Sequence, residues 1–485
     1  MTLSTSVRKP GVYIDENVTG ALQGLYPVSD SVVVIAQKLA AGTADATTPV
    51  KCFSDADAAL YFGSGSVAHL AVKAAFLQNP SISGYTVLGL VDAATAVDAT
   101  GTITLTAPPS AGGTLRVYVG DELLSYGYSA GDTTATVVNG LMTDASSKVL
   151  PVILTHTANA IKAVARNRGR CGNMIPLSAS DANGTSWVTI TAMANGANDP
   201  DVGAYGTPGT ALAAIVGGKY TVIVNCVPNN VADHASMTKI QTMVTFLSGQ
   251  TEQAPCIQVF SMTDLLDTYA NVKALCGTTG NSGRCTCAYL TYANTDGAAS
   301  EYFKVAAAYA ADIVAQSDPS LPYNGDVLVP IAPPSVADRL SRTQQEDLLW
   351  NGVTPLEVVS GELVAIVKAI STYTTNGSGS PDPTLLNIET YRTLDYVRAQ
   401  LRTKYQSNYG KSKITARLLN SIIDTTYNTL KLIELLEIVK DVDTYKTAIT
   451  AVVNPANPSR VDVKVPTAIV SPLDIIAGEL DLIIS

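Results

Sequence analysis

Strand-like and helical segments alternate along this chain, and the alternation breaks once, between about residues 93 and 204; that pattern restricts the fold more than any motif does. SVVVIAQ (Ser31 to Gln37) is a continuous apolar run of the kind buried in a parallel or mixed sheet. FSDADAALYFG and GSVAHLAVKAAFLQNP, spanning Ser54 to Asn79, read as helices that open on small or acidic capping residues; the second stops at Asn79-Pro80. YTVLGLV (Tyr85 to Val91) is again a strand, and strand, helices, strand is an α/β unit. Beyond it, GTITLTAP, GTLRVYVGDELLSYGY and PVILTHTA are short Thr- and Val-rich runs between Gly, Pro and Asp clusters, which predicts an all-β zone, a sandwich or small barrel. The α/β texture resumes at KYTVIVNCVP (Lys219 to Pro228), with a helix in SMTKIQTMVTFLSG and a strand near Ile257 to Phe260. The β-rich zone therefore reads as an insertion into an α/β domain.

Both ends carry strand-forming segments. KPGVYIDE (Lys9 to Glu16) alternates, with Val12 and Ile14 on one face, and has no neighbour close in sequence to pair with. The last zone starts near Leu356 with a strand at ELVAIVKAIS, a loop TTNGSGSPDP and a helix from about Asn387 to Tyr405. It ends in PLDIIAGELDLIIS, whose Glu479 to Ile484 alternates as a strand.

At about 150 residues per domain, 485 residues suggest roughly three domains. Charged residues are 15% of the chain, against about 25% in an ordinary globular protein. A surface that largely faces other subunits accounts for this, since interface cores are depleted of charge. The net charge of −10 argues against a general nucleic-acid binder, which needs a basic footprint. No run of about 18 apolar residues is present to span a membrane. MTLSTSVRKP has no apolar core of a secretory signal, and seven scattered cysteines are an odd number, so free thiols in a reducing cytoplasm are expected.

Catalytic chemistry finds little support. His69, His156 and His234 are the three histidines, and none lies in a G-x-S-x-G elbow or another nucleophile context. Cys276, Cys285 and Cys287 in LCGTTGNSGRCTCAYL lack the spacing of a zinc site. GSGS (Gly63 to Ser66) precedes a helix without the Lys of a Walker loop, and the GKS at Gly410 to Ser412 has Tyr405 where the first Gly is required. One charge cluster stands out. From Glu389 to Arg417 the basic residues Arg392, Arg398, Arg402, Lys404, Lys411, Lys413 and Arg417 face only Glu389 and Asp395. Arg398 and Arg402, four apart, share a helix face suited to an acidic partner.

In order and spacing, PGVYIDE, YFGSGSVAHLAVKAAFLQNP, IKAVARNRGRCGNMI, LPYNGDVLVPIAPPSVADRLSRTQQEDLLWNGVTPLEVV, VAIVKAISTYTTNGSGSPDPTLLNIETYRTLDYVRAQLRTKY and NPANPSRVDVKVPTAIVSPLDIIAGELDLIIS resemble the contractile tail sheath proteins of bacteriophages, especially the Mu-like kind. Similar sheaths occur in R-type pyocins and type VI secretion machines. The resemblance implies an α+β multidomain chain: an N-terminal arm (1–20), an α/β middle domain (21–92 and 205–355), an inserted β-rich outer domain (93–204) and a C-terminal α+β core domain (356–485) with strand-exchanging terminal arms. It implies a structural subunit, not an enzyme, without catalytic residue, cofactor or metal. Such subunits form stacked hexameric rings around an inner tail tube protein, between baseplate and tail terminator, and contract to drive the tube through the host envelope. They are assembled in the host cytoplasm and reside in the virion, with no direct nucleic-acid contact and no membrane insertion. The arm role falls on Val12, Tyr13 and Ile14 and on Leu480, Asp481, Leu482, Ile483 and Ile484; the tube-facing role falls on Arg392, Arg398, Arg402 and Lys404. An extended arm of about 20 residues reaches up to roughly 66 Å, enough to cross to a neighbour. Two competing readings are a hydrolase built on the α/β domain and a secreted surface-layer protein.

Overall fold

The computed structural model describes residues 25–26, 30–106, 111–249, 255–292 and 297–479. The arm strands expected at Val12 to Ile14 and Leu480 to Ile484 lie outside these residues. Two bodies make up the described chain: a larger one of residues 30–317, 321–391 and from Leu473 on, and a smaller one of residues 25–26, 318–320 and 392–472.

The larger body runs through β1 (Val32–Gln37), β2 (Pro49–Cys52), α1 (Asp55–Phe62), α2 (Val67–Gln78) and β3 (Tyr85–Leu90). It then makes β4 (Thr100–Leu105), β5 (Gly113–Val119), β6 (Glu122–Tyr128), α3 (Thr134–Ala145), β7 (Val152–His156), β8 (Ala160–Ala165), β9 (Leu177–Ser180) and β10 (Val188–Ala194). There follow α4 (Ala211–Ile215), β11 (Val222–Asn225), α5 (Ala235–Gly249), β12 (Ile257–Thr263), α6 (Tyr269–Ala274), β13 (Cys285–Leu290), α7 (Tyr302–Ala315), α8 (Arg342–Trp350), β14 (Thr354–Val359) and β15 (Leu363–Ile366).

Eight strands form one sheet in the order β15-β14-β13-β12-β11-β1-β3-β2, parallel except at the antiparallel edges β15 and β2. The apolar runs have the expected cause. Every residue of β1, β12 and β13 is buried, because helices cover both faces. Side-chain alternation along β1 sends Val32, Val34 and Ala36 into one core with α1, α2 and α7, and Val33 and Ile35 into another with α4 and α5. Ser54 and Ser66 cap α1 and α2 by accepting the amides of Asp57 and His69.

Two boundaries differ from the sequence expectation. β14 pairs with β13 (Ala288 with Thr354) and β15 with β14 (Leu356 with Ile366), so the large sheet runs past residue 355. The β-rich zone is also not all-β. Its two sheets, β10-β4-β8-β7 and β6-β5-β9, share a separate core with helix α3, which contributes Val137, Val138, Leu141 and Ala145.

The smaller body contains the residues of α9 (Ile388–Tyr409) from Arg392 on, then α10 (Ala416–Glu434), β16 (Val439–Lys440), β17 (Thr450–Asn454), β18 (Asn457–Lys464) and β19 (Ala468–Ile469). Its core joins Val397 and Leu401 of α9 to Leu430 and Ile433 of α10 and to Val439, Val442 and Ile449. Tyrosines tie the two helices together: the Tyr405 hydroxyl lies 2.5 Å from Thr426 Oγ1, and the Tyr409 hydroxyl 2.6 Å from Thr425 Oγ1. β17 and β18 form a two-stranded hairpin, and β16 pairs with β19.

Candidate functional site

The groups that could do chemistry are occupied with holding the fold. His69 Nε2 sits 2.8 Å from Asp55 Oδ1, and its Nδ1 accepts the Gly65 amide at 3.0 Å. His156 is exposed on β7, and His234 Nδ1 lies 3.3 Å from the Asn230 carbonyl. All seven cysteines are free and buried; burial pushes Cys52 up to about 12 and the others with shifted values upward too, which keeps them as unreactive thiols. Among the described residues no group of three His, Cys, Asp or Glu could hold a metal ion.

Buried charge serves as a fastener as well. Lys304 Nζ at the start of α7 lies 2.6 Å from Asp121 Oδ1 in the β5–β6 turn and 2.8 Å from Glu301 Oε2. Gly120, at φ +67°, makes this approach possible, since a Cβ there would stand 2.3 Å from Glu301 Oε1.

The smaller body presents the features suited to assembly. Arg398 is exposed on α9, while Arg392 and Arg402 are half-buried. Lys404 is a correction to the basic face: it is 8% exposed, with its ammonium 5.0 Å from the centroid of the Tyr26 ring. Two residues beyond Arg402, it points about 200° around the helix. Lys411, Lys413 and Arg417, at the α9–α10 turn, are exposed and make no ion pair among the described residues.

The hairpin β17–β18 exposes Val452 and Val453, and neither outer edge has a backbone partner among the described residues. The large sheet's edges are handled differently. β15 is bonded along its free side by the chain at 325–328, and β2 is four residues long and starts with Pro49.

The points where the two ends join the body are fixed. Gln400 Oε1 accepts the Tyr26 amide at 3.0 Å and its Nε2 donates to the Tyr26 carbonyl at 2.7 Å. In the larger body, Asp474 takes Lys368 Nζ at 2.6 Å and Asn324 Nδ2 at 2.9 Å. Leu473, Ile475 and Ile476, around that anchor, are 71%, 81% and 83% exposed.

Comparison with known proteins identifies this architecture. Residues 380–483 match the family described as the phage tail sheath C-terminal domain. The tail sheath protein of the Mu-like prophage FluMu of Haemophilus influenzae is 27% identical over 423 residues, 85% of this chain and 82% of that protein. Among solved structures, the fold is similar to the sheath tail protein Lin1278 of Listeria innocua, with TM-score 0.50 and 14% identity over 90% of this chain and 91% of that one. A chain of the anti-feeding prophage baseplate is similar at TM-score 0.50 and 11% identity, over 99% and 100% of the two chains. Residues 380–483 therefore carry a phage tail sheath C-terminal domain, at the end of a chain whose fold is similar to that of solved sheath proteins. More particularly, over most of its length it is a homologue of a Mu-like prophage tail sheath protein.

Proposed function

We propose that this chain polymerises with copies of itself around an inner tail tube, linked by strands passed between subunits, and that the sleeve shortens to drive the tube through a host envelope. The observation that carries the linkage is the β17–β18 hairpin, a two-stranded sheet with exposed valines and both edges open among the described residues. A lone hairpin is marginally stable and gains main-chain hydrogen bonds from each added strand. Val12, Tyr13 and Ile14 lie in an alternating segment of eight residues, Lys9 to Glu16, and Leu480, Asp481, Leu482, Ile483 and Ile484 in one of six, Glu479 to Ile484, lengths close to its strands of five and eight residues. Contraction then rebuilds contacts between nearly rigid subunits while the shared strands act as hinges.

In this reading the rings are hexameric and stacked between baseplate and terminator, with the inserted β-rich domain outermost. Assembly takes place in the host cytoplasm, and the finished sheath belongs to the virion. Arg398 and Arg402 on α9, with Lys411, Lys413 and Arg417 at the following turn, grip an acidic tube surface in the extended state. No catalytic role, cofactor, nucleic-acid contact or membrane insertion is part of the proposal. Among the described residues no helix is long and apolar enough to cross a membrane.

Truncation tests the linkage. Removing residues 1–16, or 478–485, leaves a folded monomer that no longer builds tubes visible by electron microscopy. Normal tubes from either truncated chain overturn strand exchange by that end.

A further inference from the structure

An open, doubly wound parallel sheet carries its ligand crevice at the carboxyl ends of the strands where their order reverses. Here the reversal falls between β1 and β11, since the chain builds outward to β3 on one side and to β12 and β13 on the other. Side chains at and just beyond these strand ends are polar and buried, as in a binding site: Gln37, Lys38, Asn225 and Asn229. The N-terminus of α2, preceded by the Gly-Ser-Gly-Ser turn, opens beside them. We infer that the segment 166–171 of the inserted domain is a built-in plug for this crevice, and that this plug is the joint fixing the inserted domain to the large sheet.

Asn167, 3% exposed, makes the central contacts. Its Oδ1 accepts the Val67 amide at 3.0 Å, the first of α2, and its Nδ2 donates to the Lys38 carbonyl and to Asp92 Oδ1, both at 3.1 Å. Gln37 Nε2 reaches the Arg168 carbonyl at 2.7 Å, and the Arg168 amide reaches Asp92 Oδ2 at 2.9 Å. On the β11 side, Arg170 Nη2 lies 3.2 Å from the Pro228 carbonyl and 3.0 Å from Asp233 Oδ2, while its Nε meets Asp199 at 2.7 Å. Cys171 and Met174 then enter the main core rather than the insert's own.

The donors that would hold an anion at this helix start are consumed. The Gly65 amide goes to His69 Nδ1, that of Val67 to Asn167, and that of His69 to Ser66 Oγ. Topology makes the plug a strap and not a loop tip. The chain leaves for β4, returns beside Ala99, whose carbonyl accepts the Ala165 N–H at 3.0 Å, fills the crevice, leaves again for β9 and β10, and closes where Asn173 pairs with Gly196. The inserted domain is thus threaded through the sheet's crevice, and a load on it passes into β1, α2 and β11.

Hydrogen exchange on the full-length chain tests this. In Asn167→Ala, amides Val67 to Leu70 and Lys38 exchange about tenfold faster or more, while those of α3 stay as in the parent. Leu141→Ala, in the insert's own core, gives the opposite pattern. Unchanged exchange at Val67 to Leu70 in Asn167→Ala, or loosening confined to α3, overturns the plug. Should that variant be insoluble, Arg170→Lys decides from the other end: faster exchange at Cys226 to Asn229 with α3 unchanged supports the plug, and no change there refutes it.

Discussion

The side-chain amide of Gln400 reads both backbone groups of Tyr26, accepting its N–H at 3.0 Å and donating to its carbonyl at 2.7 Å, as a neighbouring strand would. Gln400 is fully buried, whereas Tyr26 is 37% exposed, so the bonds are anchored from the helix side. They hold the chain just after the N-terminal segment against α9 in one register.

Replacing Gln400 with Ala removes both part-buried hydrogen bonds to Tyr26, which costs on the order of 1–3 kcal/mol. Denaturant melting of the monomer reads this loss. If the register of Tyr26 sets where the N-terminal arm departs, tube formation falls more than stability does. Gln400→Glu keeps the acceptor and loses the donor, and is expected to lie between the two.

Two buried carboxyls, Glu301 and Glu389, and a half-buried one, Asp312, give the chain a shared pH response. Burial pushes Glu301 and Glu389 up to about 7 and Asp312 up to about 6. A carboxyl raised in the folded state binds its proton on folding, so stability rises as pH falls from about 7.5 towards 5 and levels near the unfolded value of about 4. Thermal melting at pH 8, 7, 6 and 5 is expected to climb accordingly. Glu301→Gln and Glu389→Gln each flatten the slope, and a wild-type curve that falls over this range contradicts the assignment.

The basic face makes a salt-dependent prediction. Reversing Arg398 and Arg402 to Glu weakens co-sedimentation with the inner tube, and the defect shrinks in high salt where the parent contact is itself screened. Reversing Lys411, Lys413 and Arg417 does the same without touching α9. Lys404→Ala differs: it removes packing against Tyr26, so it lowers monomer stability and leaves the salt dependence unchanged.

How much of this was legible in the sequence depends on how local the cause was. β1 could be read from SVVVIAQ because both its faces are buried and Val32 to Ala36 are all apolar. α9 could be read from its long helical stretch, but α10 was not anticipated. Its buried positions Ile422, Thr426, Thr429, Leu430 and Ile433 include two threonines, which read as polar in the sequence; Thr426 finds the Tyr405 hydroxyl and Thr429 donates to the Thr425 carbonyl. The end of the large sheet was misplaced because the pairing of Ala288 with Thr354 is long-range and leaves no local mark. The strap 166–171 stood out only as part of a resemblance; its polar residues gain meaning from strand ends more than a hundred positions away. Lys404 joined the basic cluster by composition, and only the helical angle removes it.

The anchor of the C-terminal tail supplies the last test. Asp474 is held by Lys368 at 2.6 Å and Asn324 at 2.9 Å, with both ion-pair side chains about a quarter exposed. The pair is worth about 1 kcal/mol, too little to govern folding of the subunit. It is enough to select one direction for a tail whose next apolar residues, Ile475 and Ile476, lie open to solvent. Lys368→Ala is therefore expected to leave the melting temperature within a degree or two while slowing tube growth severalfold, because the freed tail samples more directions before it meets a neighbour. Asp474→Asn, which keeps the bond to Asn324 and loses the ion pair, is expected to give a smaller delay. Equal growth rates for all three chains refute the anchor as the determinant of tail direction, whereas a large drop in melting temperature for Lys368→Ala assigns the pair to folding instead.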